Sequence, residues 1–292
     1  MAKIKKQEAK ESGPLKVSFF SKEEISCPVC TEKFRREELL TGGGRQIAGG
    51  LTDDLHRLYE TSSKYGDSYP LIYQVTVCPK CWFAAMAEDF LQLPGNQYDT
   101  AISDEKKRKL DVQLIFPAVN FNEPRTLFSG VVAHYLALWC YHYFTPEFSP
   151  TIKSGITALR ASWLLDEINK KQPGQHWDWV SVLFKKKARF FYTHAVKMET
   201  SGKEPLAGIN LGPDTDKNYG YEGVLYLAAY LEYHYGEHND PALRVKSIDE
   251  LGRNVAKMFG MGKSSKGKPG PLLERARSLY DLIKTETNEF DG

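Results

Sequence analysis

The sequence contains no long hydrophobic run. A membrane-spanning helix needs about eighteen or more apolar residues in a row, and no segment approaches that. A signal-type apolar core is also missing: the N-terminal MAKIKKQEAKESGPLK is basic and polar, and it reads as a solvated tail. Nor is there an excess of charge of one sign. Lys and Arg total 39 against 37 Asp and Glu, a net charge of +2, so no global field draws the chain to nucleic acid or to a membrane. There are only five cysteines, Cys27, Cys30, Cys78, Cys81 and Cys140, and their odd number argues against a disulfide framework. A cytoplasmic protein with no membrane partner is expected. No Ser/His/Asp order and no dinucleotide fingerprint stands out. Gly262-Lys263-Ser264 lacks the rest of a phosphate-binding loop: Lys257 occupies the place of the earlier glycine, and no strand precedes it.

The composition that remains, 41% apolar and 26% charged over 292 residues, is that of a globular chain with one large or two modest domains. Its pattern changes along its length. Residues 17–100 hold four of the cysteines, two glycine clusters (Gly42-Gly43-Gly44 and Gly49-Gly50) and two β-like runs, Val17–Phe20 and Leu71–Val77. Leu51, Leu55 and Leu58 predict a short helix over residues 51–59, and residues 82–91 predict another. From residue 104 the apolar spacing is helical throughout. Six helices are expected around Phe128–Leu138, Ile156–Trp163, Val180–Ala195, Val224–Tyr235, Ile248–Phe259 and Leu272–Ile283. In the third, the buried stripe is Val180, Leu183, Phe184, Ala188, Phe191 and Ala195. Asp240-Pro241 has the form of an N-cap followed by a proline at the first helical position. KSSKGKPG, residues 263–270, reads as a flexible joint. The long 200–223 connection carries five glycines and two prolines. Paired helices with short turns suggest a tetratricopeptide-like bundle or solenoid, although the tryptophan and proline signposts of that repeat are missing. The fold class expected is mainly α: a flexible tail (1–16), a small α+β zinc-ribbon-like domain (17–100) and a tetratricopeptide-like helical domain (104–288).

Cys27-Pro-Val-Cys30 and Cys78-Pro-Lys-Cys81 carry the clearest chemistry. A CxxC turn sets two sulfurs about 3.5–4 Å apart, the edge of a tetrahedron around a metal with bonds near 2.3 Å. Two such turns supply four ligands and leave no open position, so Cys27, Cys30, Cys78 and Cys81 predict a structural site, with Zn2+ the expected occupant and iron the alternative. Residues 31–77 separate the turns, and a loop of that length is tolerated because closure cost grows only logarithmically. The rival reading is a dithiol redox protein, since a strand entering CPxC also presents redox dithiols. Two CPxC copies and the missing βαβ pattern oppose it. Zinc knuckles often place glycine after the second cysteine, whereas here Thr31 and Trp82 stand there.

The other candidates have plainer readings. Cys140, inside LALWCYHYF, reads as a buried thiol. His234 and His238 are four apart but lack a third ligand, so a solvated helix end is expected. Gly42-Gly43-Gly44-Arg45 reads as a loop before it reads as a phosphate cradle. The basic runs Lys106–Lys109 and Lys185–Arg189 read as solvated helix faces, with nucleic-acid binding as the alternative. Adjacent Glu88 and Asp89 diverge and make no acid/base pair.

The motifs CPVCTEKF and YPLIYQVTVCPKCWFAAMAEDF, followed by LRASWLLDEI and YLAAYLEYHYGEHNDPAL, resemble the bacterial domain-of-unknown-function 2225 family over most of residues 23–285. The family usually has glycine where Trp82 stands, and the 200–223 loop looks like an addition. The resemblance implies a zinc-ribbon-like head and a tetratricopeptide-like body, and no activity. The function expected is therefore a non-enzymatic interaction protein. Its helical body would offer a groove to a protein partner, with Tyr and Trp side chains as anchors.

Overall fold

The computed structural model describes residues 15–116, 118–215, 217–259 and 270–291. Most of the basic tail, the 263–270 joint up to residue 269 and the Gly262-Lys263-Ser264 motif lie outside the described residues.

Three antiparallel hairpins form the N-terminal part. The first pairs β1 (Ser18–Ser26) with β2 (Lys33–Leu39), with Ser26 opposite Lys33. The second pairs β3 (Ile47–Leu51) with β4 (Arg57–Glu60). The third pairs β5 (Val75–Val77) with β6 (Ala84–Met86), with Val77 opposite Ala84.

Two of the helices expected here are not helices. Residues 51–59 span the turn of the second hairpin. The Thr52 amide donates to the His56 carbonyl at 2.9 Å, and the His56 amide donates to the Thr52 hydroxyl at 2.9 Å. Leu55 sits in that turn with φ +66 and its side chain fully buried, so the leucine spacing reports a plug rather than a helix face. Residues 82–91 give a strand followed by a short 3-10 turn at Phe90–Gln92. The hairpin ladder captures Ala84 to Met86, and the fully buried Ala84 and Ala85 let that sheet pack closely against the helical body. The β-like run 71–77 is likewise shorter than expected, because Pro70–Tyr73 is a 3-10 turn.

The helices follow: α1 (Tyr98–Ser103), α2 (Glu105–Gln113), α3 (Leu127–Cys140), α4 (Pro150–Lys171), α5 (Trp177–Thr200), α6 (Gly220–Tyr235), α7 (Pro241–Phe259) and α8 (Gly270–Asp291). From α3 onward each helix packs on the next. Side chains cap two of their starts, and the one at Asp240 is the cap expected there. Thr126 and Ser129 cap α3 reciprocally, and Asp240 accepts the Leu243 amide at 3.1 Å at the start of α7. Helix α4 is buried on nearly all sides between α3 and α5. Its Gly155 allows that closeness, since a Cβ there would lie 2.9 Å from the Tyr192 ring. On α5 the buried stripe is rotated from the expected one: Ser181, Phe184, Ala188, Tyr192, Ala195 and Val196 face inward, and Leu183 faces outward.

The long connection between α5 and α6 is a tether anchored by buried residues, among them Glu204, Leu206, Leu211 and Asp214. Glu204 accepts from the Thr151 amide at 3.0 Å and its hydroxyl at 2.7 Å, satisfying the N-terminus of α4. Asp214 accepts from the Arg57 amide at 2.6 Å, while the buried Arg160 donates to the Pro213 carbonyl at 2.8 Å. The connection thus ties the second hairpin to α4. A continuous apolar core runs from the cysteine turns to α8. Among the described residues, no helix is long and apolar enough to cross a membrane.

Candidate metal centre

Each CPxC segment is the turn of a hairpin, Cys27–Cys30 between β1 and β2 and Cys78–Cys81 between β5 and β6. The two turns are built alike. The Thr31 amide donates to the Cys27 carbonyl at 3.0 Å, and the Trp82 amide donates to the Cys78 carbonyl at 3.0 Å. The first cysteine of each turn closes the hairpin: the Cys27 amide donates to Glu32 and the Cys78 amide to Phe83, both at 2.9 Å. Thr31 and Trp82 each have φ +59, the left-handed conformation that a glycine would adopt without strain. At Trp82 the indole is compensated by burial, because it packs edge-on against Phe121 with ring centroids 5.7 Å apart.

The four Sγ atoms lie within 4.8 Å of one another. Contacts run between the turns, Cys27 to Cys81 at 3.6 Å and Cys30 to Cys78 at 3.5 Å. A tetrahedron with metal–sulfur bonds of about 2.3 Å has edges of about 3.8 Å, so the cluster fits such a cation without rearranging the backbone. Cys27, Cys78 and Cys81 are buried and Cys30 is half-buried. Four sulfurs this close cannot all ionise without a cation. Hydrogen bonds from Cys27 and Cys81 pull Cys78 down to about 2 as the thiolate, whereas its bond to Cys78 pushes the Cys27 thiol up to about 12. Cys81 is also raised, first by its bond to Cys27. A divalent cation would replace the shared protons. The residues can therefore hold a metal ion, and among the described residues no other group of three or more His, Cys, Asp or Glu converges in this way.

Residues from the helical body support the second turn. Arg108 of α2 is fully buried, and its guanidinium grips the Cys81 carbonyl through Nη2 at 2.7 Å and Nε at 3.3 Å. Its Nη1 donates to the Ala101 carbonyl at 3.1 Å and to the Tyr143 hydroxyl at 3.2 Å, and that hydroxyl donates on to Asp104 at 3.0 Å. A permanent cation thus stands beside the sulfur cluster. Beyond it lies a buried ion pair, in which Lys153 of α4 reaches both oxygens of Asp89 at 2.8 and 2.6 Å. The Tyr141 hydroxyl donates to Asp89 at 2.8 Å and accepts from the Met86 amide at 3.2 Å, which links the pair to β6. At the surface, Lys80 of one turn meets Glu32 of the other at 3.3 Å.

Arg108 belongs to the Lys106–Lys109 run, expected as a solvated helix face, yet it is fully buried. The signal that identifies it is the spacing of Ala101, Arg108 and Val112, which all face the core. Asp89 makes no pair with the adjacent Glu88; its partner comes from a residue 64 positions away, beyond any local pattern. Of the other basic run, Lys185 pairs with Asp166 at 2.8 Å and Arg189 with Glu232 at 2.9 Å. Cys140 is buried near this layer, and burial pushes its thiol up to about 11, so it is a poor nucleophile. His234 lines a groove on α6 rather than a cluster of ligands. Arg45 folds back onto the Gly42 carbonyl at 3.1 Å and over the Tyr65 ring, which uses the guanidinium that a phosphate cradle would offer.

Fold and site together define a protein in which two equivalent cysteine turns, able to share one metal ion, are packed onto a mainly α-helical body. The chain belongs to the bacterial family described as "Uncharacterized protein conserved in bacteria (DUF2225)", whose model matches residues 20–283. It is 39% identical over 272 residues to an uncharacterised protein of Borreliella burgdorferi, covering 93% of this chain and 98% of that protein. No solved structure matches it.

Proposed function

We propose that this is a non-enzymatic interaction protein of the cytoplasm. In this reading the four cysteines hold one Zn2+ as a structural element, and the helical body binds a protein partner. The zinc assignment rests on an all-sulfur donor set of tetrahedral size with no position left for water or substrate. Contacts of 3.6 and 3.5 Å between the turns bring all four sulfurs into one cluster, which favours a shared cation over a CxxC dithiol. The bound ion would fix both hairpin turns and supply no chemistry beyond that.

The observation that carries partner binding is a groove of about 410 Å³ between α6 and α8. Tyr226, Tyr230 and His234, four residues apart on α6, form one wall. Arg275, Leu279 and Leu282 of α8 form the other, and Leu282 is 48% exposed. Rigid aromatic rings opposite a helix face that mixes Leu279 and Leu282 with Glu274, Arg275 and Ser278 suit a helical or extended peptide carrying both apolar anchors and polar groups. The test is a photo-cross-linking residue in place of Ser278, used in cells. A discrete protein adduct that is lost in Tyr230→Ala supports the reading. No adduct, or one that Tyr230→Ala leaves unchanged, contradicts it.

A further inference from the structure

The outer face of α5 carries an unusual crest. Trp179, Val182, Leu183 and Phe190 are exposed by 62%, 37%, 38% and 58%, although each is large and apolar. Trp179, Leu183, Lys186, Phe190, Thr193 and Lys197 follow alternating spacings of four and three residues, the stripe a partner helix reads. The crest is aromatic and cationic, and its acid, Asp178, lies at the first turn. Lys186 and Lys197 form no ion pair among the described residues, whereas Lys185 and Arg189, at the edge of the crest, are paired within the fold.

The order of side chains selects the partner. Two copies of α5 crossing antiparallel about a two-fold axis on the outer face, level with the inward-facing Ala188, would place Trp179 of one copy against Lys197 of the other. The same axis sets Lys186 against Phe190 and Leu183 against Thr193. Both exposed aromatics of the stripe then meet a lysine, and no lysine of the stripe meets another. A parallel arrangement would set Lys186 against Lys186 and Lys197 against Lys197. The exposed parts of Trp179 and Phe190 amount to about 250 Å² per copy. With Leu183, Val182 and the lysine stems, the two copies together bury on the order of 1,000 Å², the lower limit for a specific interface.

We propose that the outer face of α5 is a homodimer interface, antiparallel about an axis level with Ala188 and held by reciprocal aromatic–lysine contacts. It is independent of the groove between α6 and α8. Association of this size is weak and reversible, with Kd in roughly the micromolar range.

The test is sedimentation velocity on the full chain from about 1 to about 200 micromolar. The parent should move from monomer to dimer. Phe190→Lys sets lysine against lysine and should weaken association at least about tenfold. The exchange Lys186→Phe with Phe190→Lys restores the same pairs in reverse order and should restore the dimer. All the substituted positions are exposed, and circular dichroism confirms that each variant is folded. A parent that stays monomeric overturns the proposal, as does a Phe190→Lys variant that dimerises like the parent or an exchange variant that does not recover. Binding to anionic vesicles or to an acidic helical peptide by a parent that remains monomeric would assign the crest to that surface instead.

Discussion

Removing Arg108 is the sharpest structural perturbation, because one side chain joins α2 to the second cysteine turn. Arg108→Met keeps most of the stem volume and deletes the guanidinium. The Cys81 and Ala101 carbonyls then lose the donors at 2.7 and 3.1 Å. Each buried acceptor left unsatisfied costs about 1–3 kcal/mol, giving about 4 kcal/mol in all. With about 2–4 °C of Tm per kcal/mol for a chain of this size, the expected loss is about 8–16 °C. Arg108→Lys keeps the charge but cannot fork between two carbonyls and should fall between the two. Thermal unfolding of the metal-loaded protein measures the loss, and competition with a chelator shows whether the Cys81 turn has loosened. A Tm for Arg108→Met within about 2 °C of the parent, with unchanged metal retention, would refute the reasoning.

Further outcomes follow from His134, from the Asp89–Lys153 pair and from the two left-handed turn positions. His134 is fully buried with its Nε2 2.9 Å from the Leu71 carbonyl, and burial holds it down to about 3. The unfolded chain therefore takes up this proton first, so the stability is present in full above about pH 6.5 and is lost as pH falls toward 3. At pH 5 the loss is about 2 kcal/mol, and in urea titrations His134→Gln should flatten the slope between pH 7 and pH 5 by that amount. Lys153→Met strands Asp89 and should cost about 3–5 kcal/mol, whereas adding Asp89→Leu should recover much of it in a double-mutant cycle; additive losses would contradict a shared pair. Thr31→Gly should stay within about 1 kcal/mol of the parent, because relief of the left-handed strain offsets added chain entropy. Trp82→Gly should cost about 3 kcal/mol through the lost indole packing, and equal effects at the two positions would count against the role given to Phe121.

The legibility of the fold follows the range of the interactions. The six long helices were readable because each buries a continuous stripe, and the capping at Asp240 is local chemistry. The cysteine set was readable because a CPxC turn brings its own geometry. Residues 51–59 and 82–91 misled because their apolar spacing serves a turn plug and a short ladder, and the partner strand decides both. The α5 stripe was legible at Phe184, Ala188 and Ala195 but not at Leu183, which is exposed, nor at Ser181 and Tyr192, which are buried; packing against α4 and α6 sets that edge of the stripe. Arg108, Asp89 and Lys153 were illegible for a deeper reason. Charged residues read as solvated unless their partners are known, and those partners lie on other elements.

The central claim is that Cys27, Cys30, Cys78 and Cys81 share one structural Zn2+. Elemental analysis of the purified full chain, combined with thiol titration before and after chelation in denaturant, tests it most directly. The account predicts one zinc per chain and a single reactive population of four additional thiols once the metal is removed, with Cys78→Ser lowering retention sharply. Metal-free protein with a reversible disulfide within either CPxC turn would contradict it.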